Sequence, residues 1–141
     1  MSEIDNIVGI KDATADIERG RRLIEATPED FVSYSGQDTA ALELMLAGGK
    51  GTISVTANVA PALMHEMCTA AVAGDEDKAN ELNDKLMPLH EAMFIESNPI
   101  PAKWGASQQG FIRNNLRLPL VPLTAEAQEH VRAAMISAGV L

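Results

Sequence analysis

The chain has 141 residues, a net charge of -9 at neutral pH, 46% apolar residues and 22% charged residues. This length allows one domain with a hydrophobic core, and the composition is that of a globular protein rather than a disordered tail. The acidic balance argues against a nucleic-acid partner, because binding a phosphate backbone needs clustered Lys and Arg. Arg19, Arg21 and Arg22 form the only basic cluster, which a solvated helix face explains better than a binding site.

The cellular setting is predicted from what the sequence lacks. Cys68 is the only cysteine, so no intrachain disulfide can form, which fits a reducing compartment. No charged segment followed by an apolar stretch begins the sequence, and no run of about 18 apolar residues occurs. The sequence therefore predicts a cytoplasmic protein with no membrane partner.

The first part of the chain alternates strand and helix patterns. Residues 6–11 are nearly all apolar, which is typical of a strand covered on both faces in a parallel sheet. Asp16 and Asp38 are predicted to cap two helices, and residues 31–35 and 52–57 are predicted to form two more strands. Crossovers of this length imply parallel strands with right-handed connections. Pattern alone leaves two folds open, a doubly wound sheet and a segment of a (β/α)8 barrel.

The later part predicts helices only. Pro61 and Asp75 are placed to begin two helices, and Pro88 is expected to kink the second because its ring clashes with the preceding turn. Residues 113–123 predict a loop, after which Thr124 is placed to cap a last helix. Apolar faces or stripes at helical spacing are predicted at Ala41, Leu42, Met45, Leu46, Leu63, Met67, Ala70, Ala71, Ala79, Leu82, Leu86, Leu89, Met93, Ala127, Val131, Ala134 and Ala138.

Lys11 is the candidate for chemistry, because it ends the first predicted strand. A lysine there is either a surface residue or an amine nucleophile at the edge where α/β folds place their active sites. The amine attacks a ketone only when it is neutral, so a catalytic site must lower its pKa by desolvation or a neighbouring cation.

Five segments carry a resemblance to one enzyme family. The first, residues 9–14 (GIKDAT), resembles the Schiff-base lysine segment of the dihydrodipicolinate synthase family, also called 4-hydroxy-tetrahydrodipicolinate synthase. The others follow in the family's order and are residues 34–38 (YSGQD), 49–58 (GKGTISVTAN), 96–104 (ESNPIPAKW) and 116–123 (LRLPLVPL). The resemblance covers only the C-terminal half of the family's chain.

The resemblance implies the C-terminal portion of a (β/α)8 TIM barrel, an α/β fold, with three parallel βα units followed by a helical region. Residues 1–58 would hold the last three strands with two helices, and residues 59–141 the helical region. By resemblance, Lys11 forms a Schiff base with pyruvate, and backbone groups of Gly36 and Ile53 help to hold this keto acid. The enamine then attacks aspartate semialdehyde on the route to diaminopimelate and lysine. No cofactor and no metal are implied.

Alternatives remain because the family's other catalytic groups lie in the half that does not match. The chain could be a non-catalytic fragment, or a sister pyruvate-dependent aldolase such as N-acetylneuraminate lyase. Three parallel strands cannot close a barrel, and open edges expose unpaired backbone groups. We therefore expect a companion N-terminal half or association into a homo-oligomer.

Two further patterns are interpreted as structural. The glycines of residues 48–52 predict a helix cap and turn, because Gly51 stands where a phosphate-binding loop needs Ser or Thr. The potential metal ligands lack a second pair at recognisable spacing and are interpreted as core or surface residues, namely His65, Cys68, His90 and His130.

Overall fold

The computed structural model describes all residues from Met1 to Leu141. Contacts divide the chain into two compact units, each made of two stretches of sequence. The first unit comprises Met1–Ser54 and His65–Asn83, and the second comprises Val55–Met64 and Asp84–Leu141. The domain boundary expected at residue 58 followed the change from strands to helices and stays a prediction.

The first unit contains a three-stranded parallel sheet, as predicted. Strand β1 is Gly9–Asp12, β2 is Val32–Ser35 and β3 is Gly51–Thr52, in the spatial order β1-β2-β3. Parallel neighbours joined by crossovers place all three carboxyl ends at one edge of the sheet.

The strands are shorter than predicted. The amide of Ile7 donates to the carbonyl of Ile4 in a turn, so β1 begins only at Gly9. After β3, a 3₁₀ turn forms over Thr56–Asn58, where the predicted strand would have continued. The expectation that residues 6–11 are covered on both faces is also wrong, because Val8 is 68% exposed and Lys11 is exposed. In β2 burial alternates, with Ser33 and Ser35 buried and Val32 and Tyr34 only partly covered, so the face that includes Lys11 is the less covered one.

Helix α1 covers Ile17–Glu25 and begins as predicted, with the Asp16 carboxylate accepting a hydrogen bond from the amide of Arg19 at 3.0 Å. Helix α2 covers Ala41–Leu46. It ends at the predicted glycines, where Gly48 adopts a φ of +114° and the amide of Gly49 donates to the carbonyl of Leu44.

Two expectations about the start and face of α2 are wrong. Asp38 does not cap the helix, because it lies inside a 3₁₀ turn, Asp38–Ala40, that precedes it. Leu46 is 38% exposed and the unpredicted Leu44 is 5% exposed. The side chain of Leu44 packs against Gly20 of α1, where an added Cβ would lie 2.4 Å from its Cδ1 atom.

Helices α3, Pro61–Ala73, and α4, Glu76–Ala92, each contribute residues to both units. Gly74 ends α3 with a φ of +78°, and the Asp75 carboxylate then accepts a hydrogen bond from the amide of Lys78. The predicted apolar stripe of α4 is buried throughout, from Ala79 to Met93. Pro88 lies within α4 without ending it, and the kink stays a prediction.

The second unit ends with α5, Ile100–Gln108, and α6, Ala125–Ser137. Thr124 caps α6 as predicted, its hydroxyl accepting a hydrogen bond from the amide of Ala127, and the expected face of α6 is buried. Residues 113–123 contain no helix or strand, as predicted. None of the six helices combines the length and apolar character that a membrane crossing requires.

Candidate active site

The structure brings all three predicted site residues to the carboxyl edge of the sheet. Lys11 is the third residue of β1 and pairs in register with Tyr34 of β2. Gly36 directly follows β2, and Ile53 directly follows β3. This is the edge at which parallel sheets of the barrel type carry their binding and catalytic groups.

Lys11 lies directly over Gly36. A Cβ atom added to Gly36 would be 2.5 Å from Lys11 Cε, 3.0 Å from Lys11 Cγ and 2.8 Å from the Cβ of Ala13. Real Cβ atoms do not approach other heavy atoms so closely, so only glycine admits the lysine side chain in this position. The lysine side chain is therefore a steric reason for glycine at position 36.

Ile53 extends the sheet by one hydrogen bond beyond β3. Its amide donates to the carbonyl of Ser35 at 2.8 Å, and the hydroxyl of Thr52 donates to the same carbonyl at 3.2 Å. Because the Ile53 amide is used in this way, a backbone contact from Ile53 to a ligand would involve its carbonyl oxygen. Its side chain is 51% exposed.

A charged cluster beside Lys11 was not predicted. The Asp12 carboxylate accepts hydrogen bonds from the Thr14 amide at 2.9 Å, the Thr14 hydroxyl at 2.7 Å and the Arg19 Nε at 3.1 Å. Only 7% of the Asp12 side chain is exposed. The spacing of Asp12 and Thr14 is a signal for a local side-chain turn, but the contact with Arg19 depends on how α1 packs.

These contacts keep Asp12 ionised. Burial opposes ionisation of the carboxyl, but the hydrogen bonds from Thr14 and the charge and hydrogen bond of Arg19 outweigh it and hold the pKa of Asp12 below its usual value. The backbone carbonyl of Asp12 also accepts a hydrogen bond from the amide of Gly36 at 2.7 Å. Asp12 thus connects the end of β1 to both α1 and the segment after β2.

The other side chains that could act as nucleophiles or metal ligands lie in surroundings that favour a structural role. Burial and the nearby Asp38 charge raise the pKa of the Cys68 thiol, against a smaller opposing effect of the Thr52 backbone, so the thiol is protonated and poorly nucleophilic. His90 is fully buried, with its Nδ1 2.8 Å from the hydroxyl of Thr56. No group of three or more His, Cys, Asp or Glu side chains is arranged to hold a metal ion.

The glycine-rich turn before β3 is structural, as predicted. The amide of Gly49 donates to the carbonyl of Leu44, and the amide of Lys50 donates to the carbonyl of Ser33. Because both amides serve the helix end and the sheet, they do not form a cradle for phosphate.

Known structures share the fold of this chain. The crystal structure of the chloride-inhibited dihydrodipicolinate synthase from Acinetobacter baumannii, complexed with pyruvate, superposes with a TM-score of 0.95 and 51% identity. That match covers 99% of this chain and 48% of the other. The dihydrodipicolinate synthase from Thermotoga maritima gives a TM-score of 0.94 at 42% identity, with the same coverage. The three parallel strands and the helices are therefore part of a TIM-barrel fold.

Sequence comparisons agree. The chain is 53% identical over 141 residues to the 4-hydroxy-tetrahydrodipicolinate synthase of Stutzerimonas stutzeri and 54% identical over 140 residues to that of Nitrosomonas europaea. These matches cover 100% and 99% of this chain and 48% of each relative. The chain thus spans about half the length of the curated relatives that it matches.

A sequence model described as the dihydrodipicolinate synthetase family matches residues 1–138. This match, together with the relatives above, confirms the resemblance drawn from the five segments. The chain belongs to the dihydrodipicolinate synthetase family.

Proposed function

We propose that Lys11 is the amine that forms a Schiff base with pyruvate, in a barrel that a companion polypeptide completes. The Schiff base then gives an enamine, which condenses with aspartate semialdehyde. This is the reaction of 4-hydroxy-tetrahydrodipicolinate synthase on the route to diaminopimelate and lysine. The observation that carries the proposal is the placement of Lys11 over Gly36 at the carboxyl edge of the parallel sheet. The pyruvate bound in the structure of the Acinetobacter baumannii relative supports the choice of keto acid.

In the proposed reaction, the lysine acts as a neutral amine that forms a covalent bond to pyruvate. Its neutral Nζ attacks the ketone carbon of pyruvate, and the resulting carbinolamine takes up a proton and loses water to give the iminium ion. Loss of a proton from the methyl group then gives the enamine, whose carbon forms a bond to the aldehyde carbon of the second substrate while the aldehyde oxygen takes up a proton. The iminium ion that this step restores is attacked by the amino group of the second substrate, and the bond to Nζ breaks to free the lysine amine. Lys11 supplies the amine, and the Ile53 carbonyl and Gly36 backbone lie at the same sheet edge to contact the keto acid.

The companion polypeptide is part of the proposal because the Lys11 side chain is exposed to solvent in this chain. The lysine side chain is exposed, and the face that it shares with Val32 and Tyr34 has only intermediate burial. Desolvation favours the neutral form of a lysine, so covering this face would promote the reaction with pyruvate. The open edges of β1 and β3 are where further strands of a barrel would pair.

The test is borohydride trapping with pyruvate, followed by peptide mapping. The chain is studied alone and after co-expression with the segment of the Stutzerimonas stutzeri synthase that the match leaves uncovered. We expect low, scattered labelling of the isolated chain and one reduced adduct at Lys11 in the assembled protein, together with synthase turnover. Lys11→Arg should abolish both, whereas the matched change Lys50→Arg should alter neither.

A second candidate function is that of a non-catalytic fragment, which the exposure of Lys11 favours. A stable assembly that carries no Lys11 adduct and has no turnover would support this alternative. Turnover that survives Lys11→Arg would instead show that another group does the chemistry.

A further inference from the structure

The contacts of Asp12 have a direct bearing on Lys11. The two residues are adjacent in β1, so their side chains leave opposite faces of the strand. Lys11 faces the open side, while the Asp12 carboxylate points toward α1 and is 7% exposed. Its three donors come from Thr14 and Arg19, so both carboxylate oxygens are held.

We propose that Asp12 is a positioning residue whose carboxylate fixes the end of β1 so that Lys11 lies over Gly36. This inference rests on the proposed function of Lys11. Asp12 does not touch the reacting atoms and acts through the backbone of β1 and through Gly36, whose amide donates to the Asp12 carbonyl at 2.7 Å.

The turn after β1 explains why such an anchor is useful. Ala15 adopts a φ of +57°, a left-handed conformation that is unfavourable for a residue with a Cβ. Thr14, the residue before Ala15, is bound by the Asp12 carboxylate, and Asp16, the residue after Ala15, caps α1. The carboxylate therefore ties the strand end to α1 across the strained residue.

The second support comes from the other side of the strand. The Lys11 side chain lies where a Cβ at position 36 would be, so its position depends on how the end of β1 is held against the segment after β2. Displacing a reacting group by about 1 Å can cost about a hundredfold in rate. A carboxylate with three donors, two of them on one neighbouring residue and one on α1, limits that shift.

The test compares Asp12→Asn with Asp16→Asn in the assembled protein. Both remove one negative charge, but Asp16 only caps α1, a role that Asn fills equally well. In Asp12→Asn one carboxylate oxygen becomes an amide nitrogen, which donates and does not accept, so the hydrogen bonds from Thr14 and from Arg19 cannot both be kept. We expect the maximal rate constant for trapping pyruvate at Lys11 to fall about 10- to 100-fold in Asp12→Asn. The pyruvate concentration for half-maximal rate should stay unchanged, and Asp16→Asn should match the unsubstituted protein.

Two readouts separate positioning from loss of folded protein. A merely destabilised variant would show a smaller labelled fraction with an unchanged rate constant, which would overturn the proposal. The hydrogen-exchange rate of the Gly36 amide reports the strand end without any substrate, and it should rise in Asp12→Asn only. If the unsubstituted protein traps no pyruvate, the proposed function fails, while the Gly36 amide still tests the anchoring by Asp12. Equal trapping rates and equal Gly36 exchange in the two variants would overturn the inference.

Discussion

The helical core of the second unit and the sheet of the first unit differ in how far their side chains are exposed. In the second unit, Leu86, Leu89, Val131 and Met135 are all 0% exposed. In the sheet of the first unit, the side chains directed to the helices are buried, as Ser33 and Ser35 show with 5% and 2% exposure, but Lys11 on the opposite face is exposed. The second unit therefore holds a buried helical core, although several of its surface apolar side chains are exposed, whereas the predicted site in the first unit includes an exposed face of the sheet.

The residues that stabilise the fold and the residues of the predicted site lie in different parts of this chain. Burial of side chains in close-packed helices contributes most of the free energy of unfolding. The predicted site residues lie at strand ends, and the Lys11 side chain among them is exposed. Substitutions in the two places should therefore change different measurements.

The largest change in stability is expected for Leu89→Ala in α4. Leu89 is fully buried, so removing its side chain loses transfer free energy and leaves a cavity, which should lower the free energy of unfolding by about 2–5 kcal/mol. Leu118→Ala is the matched control, because Leu118 is 89% exposed and should change stability by less than about 0.5 kcal/mol. Urea denaturation measures the free energy of unfolding of both variants, and similar losses in the two would contradict a close-packed core around Leu89.

The next effect belongs to the sheet and should appear in reactivity. Gly36→Ala places a Cβ where Lys11 Cε and Cγ now lie, so the lysine side chain must move. We expect the trapping rate of pyruvate at Lys11 in the assembled protein to fall about a hundredfold. Gly110→Ala is the control, since it introduces strain at a φ of +80° without a neighbour within 4 Å. An unchanged trapping rate in Gly36→Ala would remove the steric basis of the site.

A smaller effect is expected for Thr56→Val in the second unit. The Thr56 hydroxyl lies 2.8 Å from Nδ1 of His90, and both residues are fully buried. Losing one partner of a buried hydrogen bond should lower the free energy of unfolding by about 1–3 kcal/mol. Thr69→Val removes an exposed hydroxyl that bonds only to the preceding helical turn, so thermal unfolding of that variant should change little.

The smallest effect is expected at the surface of the helical unit. The Arg132 guanidinium lies 5.2 Å from the ring centre of Trp104 and donates to the Gln108 amide oxygen at 2.6 Å. Arg132→Met should lower the free energy of unfolding by about 0.5–1 kcal/mol, because the arginine itself is exposed. Arg113→Met serves as the control, and a loss as large as that of Leu89→Ala would show that stability is not concentrated in the buried helices.

Local chemistry explains which parts of the fold the sequence predicts. The caps at Asp16 and Thr124 involve an amide three residues away, so the residue types alone indicate them. The buried stripe of α4 follows from its period. The predicted cap at Asp38 failed because a 3₁₀ turn, which has no distinct residue pattern, came first.

The site was predicted in part for a similar reason. Strand order placed Lys11, Gly36 and Ile53 at one sheet edge, and the family segments selected them. The contact between Asp12 and Arg19 spans seven residues and depends on the angle between β1 and α1, which sequence spacing does not specify. The exposure of Lys11 likewise depends on how the strands and helices pack, which the sequence around Lys11 does not specify.

The division of α3 and α4 between the two units has a practical consequence. Each unit is assembled from two separated stretches, so the chain passes from one unit to the other three times. No single cut in the backbone can release either unit intact, and removal of the helices after residue 58 would also take His65–Asn83 from the unit that carries Lys11. The sheet edge with the predicted site and the helical core of the second unit therefore depend on one continuous length of polypeptide.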